Sequence, residues 1–86
     1  MQVKRMDKNK VTVEIFGDTY ALKGDMDAER VKRLAQMVDE QMRRLAKGSQ
    51  HLPPTRLAVL TAMNTCDAYL KLQKDYQELL EILKDT

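Results

Sequence analysis

From Pro54 onward the chain reads P-T-R-L-A-V-L-T-A-M-N-T-C-D-A-Y-L-K-L-Q-K-D-Y-Q-E-L-L-E-I-L-K-D-T, with no further glycine or proline. Within it apolar or semi-apolar residues return at alternating three- and four-residue steps: Val59, Ala62, Cys66, Tyr69, Tyr76, Leu80 and Leu83, interrupted only by Gln73. This is a heptad stripe on one long helix. At a rise of about 1.5 Å per residue the helix is a rod of roughly 45 Å. An 86-residue chain cannot cover such a rod by folding back on itself. The stripe therefore predicts association with further copies.

The width of the stripe predicts how many. With Val59, Cys66, Gln73 and Leu80 as the first core position, the flanks are also largely apolar, Met63 and Leu70 on one side and Leu72 and Leu79 on the other. A two-stranded coiled coil places charges there. Apolar flanks predict that two coiled pairs stack into a four-helix arrangement, a homodimer assembling to a homotetramer. Between Leu57 and Met63 the run L-A-V-L-T-A-M is apolar on nearly every side, which predicts burial all round. Leu57, Leu60 and Asn64 define a face turned from the heptad stripe, where a second body is expected. An unpaired amide there would cost about 1–3 kcal/mol, so Asn64 is expected to hydrogen-bond to that body.

The rest of the chain supplies the body. Residues 1–9 show no sustained period and are read as a flexible basic tail. Val11, Val13 and Ile15 alternate with polar residues, Gly17-Asp18 reads as a two-residue type II′ turn, and a second strand follows to Gly24. This register sets Phe16 opposite Thr19, Ile15 opposite Tyr20 and Val13 opposite Leu22, and it gathers Val11, Val13, Ile15, Tyr20 and Leu22 on one face. Such a hairpin needs a helix beneath it. Asp25 and Asp27 are both suitable N-caps; with Asp27 as the cap, Met26 and Val31 take the hydrophobic-staple positions. Val31, Leu34, Ala35, Val38, Met42 and Leu45 then form one helical stripe, and Gly48 is the natural stop. Pro54 fits the first turn of the long helix.

The predicted fold is α+β. A head spans 10–53, with the hairpin at about 10–24, a helix at about 26–47 and a loop at 48–53; the long helix of 54–86 packs its first half on the head and projects its second half as a coiled-coil stalk.

Several functions are excluded by what these residues lack. The chain has one histidine and one cysteine, and no metal-ligand spacing, phosphate-binding glycine loop or nucleophile motif. No catalytic residue, metal or cofactor is predicted. His51 reads as a solvated loop residue and Cys66 as a small hydrophobe on the stripe. A single cysteine, with no apolar run of membrane-spanning length and no signal-peptide pattern, predicts a cytoplasmic protein without a membrane partner. Net charge is +2, with +3 in residues 1–10 and −1 over the remainder. The densest cationic cluster outside the tail is Arg43, Arg44 and Lys47, at the end of the first helix. It complements the helix dipole, and it also suits an acidic partner.

Two stretches carry a resemblance: V-E-I-F-G-D-T-Y-A-L-K-G from Val13 to Gly24, and L-A-V-L-T-A-M-N from Leu57 to Asn64, followed by D-A-Y-L. Together with the stalk they resemble the ZapA family of bacterial cell division proteins, from about Val11 to Leu83. The resemblance implies a small cytoplasmic factor that binds the tubulin-like GTPase FtsZ, promotes lateral association of its filaments at midcell, dimerises through head and long helix, and tetramerises through the stalk. In some members basic contacts for FtsZ lie at the hairpin turn. Here the turn carries Asp18, with only Lys23 basic nearby, so the candidate FtsZ contacts are Arg43, Arg44 and Lys47, together with Lys23 and Asp18. The oligomer contacts are assigned to Val59, Ala62, Met63, Cys66, Tyr69, Leu70, Leu72, Tyr76, Leu79, Leu80 and Leu83. A different class of function, a small basic coiled-coil protein binding nucleic acid through residues 1–10 and the Arg43 cluster, is the alternative.

Overall fold

The computed structural model describes residues 9–48 and 51–85. The expectations for the basic tail and for Ser49 and Gln50 of the loop lie outside the described residues. Strand β1 (Asn9–Ile15) pairs antiparallel with β2 (Asp18–Gly24); helix α1 (Ala28–Gly48) follows, then helix α2 (Pro54–Lys84).

The alternating residues of β1 turn Val11 and Val13 into the interior, where they meet Val31 and Ala35 of α1, with Ile15 and Ala28 at the margin. Asp27 caps α1: its Oδ2 accepts the Arg30 N–H at 3.2 Å and its backbone oxygen accepts the Val31 N–H at 3.0 Å. The first N–H groups of a helix have no partner within it, and the Asp27 carboxylate satisfies one of them while its carbonyl takes the first bond of the helix. Pro54 opens α2, and the Leu57 N–H closes the first turn on the Pro53 carbonyl at 3.1 Å.

The hairpin register differs from the expected one. Ile15 pairs with Asp18, Val13 with Tyr20 and Val11 with Leu22, so the two loop residues are Phe16 and Gly17. Both have positive φ, 51° and 86°, as a type I′ turn requires. The difference from the expected pairing is two residues along β2. Because side chains alternate with period two, this leaves the same five apolar residues on one face.

That face is only half covered. Helix α1 lies under β1, whereas every residue of β2 is exposed, including Tyr20 at 45% and Leu22 at 44%. One helix is too narrow to cover two strands carrying large side chains. On α1 itself Val31, Ala35 and Met42 are buried, Leu45 is half-buried, and Leu34 and Val38 remain exposed beside the uncovered strand.

Helix α2 meets the head over its first two turns. Leu57 is 2% exposed and Thr61 4%, four residues apart on one side of the helix facing α1. Burial all round is not found in the single chain, since Ala58, Val59, Leu60, Ala62 and Met63 are exposed. Asn64 is also exposed and makes no hydrogen bond to the described residues of the head. It continues the side marked by Leu57 and Thr61, but α1 and α2 have diverged before its turn is reached. The radius of gyration is 17.3 Å, against about 12 Å for a compact chain of this length.

Candidate functional site

The described residues present no converging set of titratable groups. No group of three or more His, Cys, Asp or Glu that could hold a metal occurs among them, and no helix is long and apolar enough to cross a membrane. His51 is exposed, and Cys66 is an exposed free thiol. What the structure offers instead is two surfaces, a polar one on the head and an apolar one along α2.

The head surface is built around the hairpin tip. Phe16 sits in the left-handed region, which costs a residue with a Cβ about 1–2 kcal/mol. Its N–H donates to Asp39 Oδ1 on α1 at 2.7 Å, a contact spanning 23 residues of sequence. The other oxygen, Oδ2, accepts the Nε–H of Arg43 at 3.0 Å, one helical turn further on. The Arg43 guanidinium in turn lies 5.7 Å from the centre of the Phe16 ring, within cation–π range. The backbone hydrogen bond from Phe16, then the one from Arg43, hold the Asp39 carboxyl below the usual carboxylate range, partial burial pulling weakly the other way. Tip and helix are thereby joined through one side chain.

The structure divides the predicted contact residues. Arg43 and Asp18 belong to the tip: Asp18 follows the Phe16–Gly17 turn and lines a groove of about 470 Å³ shared with Phe16, Met42 and Pro54. Arg44 and Lys47 are exposed on the last turns of α1 and form no ion pair among the described residues. Lys23 stands apart at the far end of β2. It is directly opposite Lys10 on the solvent face of the hairpin, and five residues at about 3.4 Å each separate it from the tip. Arg43 is already paired, so it is not the simple surface charge that its place off the apolar stripe suggests.

Sequence reasoning missed Asp39 and Phe16. The four-residue spacing of Asp39 and Arg43 is a readable helix-surface pair. Nothing local signals the bond from Asp39 to the hairpin.

The second surface runs along α2. All eleven residues assigned to oligomer contacts, from Val59 to Leu83, are exposed in the single chain. Beyond Thr65, whose hydroxyl donates to the Thr61 carbonyl at 2.8 Å, every described residue of α2 is exposed. The uncovered faces of Tyr20, Leu22, Leu34 and Val38 on the head are apolar too.

Residues 11–86 match the family described as Cell division protein ZapA. The chain belongs to the ZapA family. It is 36% identical over 81 residues to the ZapA protein of Bacillus mycoides, covering 94% of this chain and 91% of that one. It is 38% identical over 78 residues to that of Oceanobacillus iheyensis, covering 91% of each. Among solved structures, a ZapA mutant dimer from Geobacillus stearothermophilus is similar, with a TM-score of 0.69, 33% identity and 98% of both chains covered. ZapA membership makes this chain a cell division protein with the α+β arrangement of hairpin, helix and long helix. The head that carries Asp39 and the bare stripe of α2 are thus features of a ZapA protein.

Proposed function

We propose that this ZapA protein is a non-enzymatic factor that binds FtsZ filaments and cross-links them, promoting Z-ring assembly at midcell in the cytoplasm. The observation that carries this reading is the division of labour along α2. Its first turns are held by the head, while the rest presents Tyr69, Leu72, Tyr76, Leu79, Leu80 and Leu83 to solvent. The chain leaves 7154 Å² accessible, against about 5,200 Å² for a folded monomer of 10.0 kDa. The excess is larger than the roughly 800 Å² that each partner contributes to a standard interface. Burying it in a dimer, and then in a tetramer through the stalk, separates pairs of heads along a rod. Similarity to a dimeric ZapA supports the first of these steps.

Each head carries exposed cations at Arg44 and Lys47, with Arg43 at the tip. Such charges govern encounter and salt sensitivity and are worth about 1 kcal/mol or less apiece. Presenting them several times on one assembly multiplies a weak contact into useful avidity, and no catalytic group is required.

Co-sedimentation with FtsZ, with and without GTP, tests the reading. Bundling is expected only with polymer, and it should weaken as salt is raised. The variant carrying Arg44→Glu and Lys47→Glu should lose bundling at moderate salt while keeping its assembly mass and circular dichroism. Unchanged bundling would reduce these residues to a complement of the helix dipole and shift the contact to Asp18 and Lys23. Arg43 is left out of this variant because a glutamate there would face Asp39 and disturb the tip. Removing residues 1–9 should leave bundling intact; loss on removal would favour the nucleic-acid alternative.

A further inference from the structure

We propose that Asp39 is the positioning residue of the filament-binding face: it sets the Phe16–Gly17 turn and lays Arg43 against the Phe16 ring, so that the tip presents a preformed surface to an acidic partner segment with an adjoining apolar side chain. This rests on the reading of the head as the FtsZ-binding part.

The geometry leaves Asp39 a task that no other described residue performs. In a two-residue hairpin the ladder ends at the closing pair, here Ile15 and Asp18, so the amide of the first loop residue has no strand partner. Asp39 Oδ1 is the acceptor it finds, at 2.7 Å. The same carboxylate takes the Nε–H of Arg43 at 3.0 Å, and the guanidinium carbon lies over the ring, 5.7 Å from its centre. Asp39 is 23% exposed at its side chain and Arg43 57%, so the carboxylate sits behind the arginine it holds. Only one of the five guanidinium donors is used by this pair, and the remaining four suit a carboxylate in bidentate geometry. A lysine at 43 could offer neither the fork nor the flat stack.

The consequence is a specificity device. Asp39 neutralises much of the charge of Arg43, so recognition at the tip depends on the orientation of donors and ring more than on net charge. Arg44 and Lys47 supply the long-range attraction, and the Phe16–Arg43 surface supplies the fit.

The test uses the full chain with Asp39→Ala and Asp39→Asn. In two-dimensional amide NMR the Phe16 N–H is expected to move upfield in Asp39→Ala, having lost a charge-assisted bond. In Asp39→Asn it should move only part of the way, because the neutral amide oxygen still accepts but without the carboxylate charge, and the Arg43 Nε–H signal should shift as well. The concentration giving half-maximal FtsZ bundling should rise roughly tenfold for Asp39→Ala, a few-fold loss per head compounded over the two heads of each cross-link. Asp39→Asn should fall between Asp39→Ala and the parent, with assembly mass unchanged in both. A purely structural residue would instead lower thermal stability in step with bundling. If Asp39→Ala leaves the Phe16 resonance or the bundling concentration unchanged, the proposal is overturned, even where Arg44→Glu with Lys47→Glu abolishes bundling. If the parent protein does not bundle FtsZ, the functional reading falls and the proposal falls with it. Should Asp39→Ala fail to fold, the Asp39→Asn comparison decides, and parent-like bundling with an unmoved Arg43 signal overturns the proposal.

Discussion

Leu57 and Leu80 are the same residue type on the same helix, yet one is 2% exposed and the other 42%. Nothing in their immediate sequence separates them, since both stand in apolar, glycine-free helical runs. The difference is what lies opposite: α1 for Leu57, and nothing among the described residues for Leu80. The head is thus a small body completed partly by its own residues, whereas the stalk is a helix whose stripe must be completed by other copies. The tip adds a third kind of support, because Phe16, Asp39 and Arg43 are joined by hydrogen bonds and a ring contact.

The sharpest way to break this comparison is to charge the stalk. Leu80→Glu or Leu79→Glu should halve the assembly mass in sedimentation equilibrium, because a four-helix core would bury an unpaired carboxylate in every copy. The heads should keep their fold, as Leu57 and Thr61 are untouched. A tetramer mass that does not change would remove the stalk as the four-helix interface.

Next in size is the seam between α1 and α2. Leu57→Ala is expected to cost about 2–5 kcal/mol in denaturant unfolding, the range for emptying a buried leucine site. The corresponding Leu72→Ala should cost much less when measured in the dimer that Leu80→Glu releases from the tetramer. Equal costs would mean that head and stalk are held in the same way.

Thr61 sharpens the comparison within the seam. Its Oγ1 is buried and has no hydrogen-bond partner among the described residues, and its own carbonyl is taken by Thr65. A buried hydroxyl left unpaired costs about 1–3 kcal/mol, so Thr61→Val, nearly the same in volume, should raise stability by roughly 1 kcal/mol. Destabilisation would indicate that the hydroxyl finds a partner when the copies assemble.

The smallest effect is acid dependence at the tip. The Asp39 pKa is lowered by the Phe16 N–H and by Arg43, so its contribution is complete above the unfolded value of about 3.9 and is lost as pH falls from there through the folded pKa. The Phe16 amide shift should titrate in that acidic window and stay constant around neutrality. In Asp39→Asn the titration should disappear. A transition near neutral pH would assign the tip to some other group.

Much of this protein is legible in its residues because the signals are local. The alternation of Val11, Val13 and Ile15, the Asp27 cap, the Pro54 start and the stripe from Val59 to Leu83 each depend on spacing along one element. One covalent period therefore suffices to find them. The composition of the hairpin face also survived an incorrect turn, since a two-residue displacement preserves which side every residue takes. Three things belong to the tertiary structure alone. The turn is centred on Phe16–Gly17 because a carboxylate 23 positions away accepts the Phe16 amide, and no local rule favours phenylalanine at positive φ. Helix α1 covers β1 and leaves Tyr20 and Leu22 bare, since a period says which face is apolar but not how far a neighbouring helix extends across it. Asn64 is left exposed for a related reason. Its side of α2 follows from helical spacing, but the turn at which α1 and α2 part is set by how two whole elements cross.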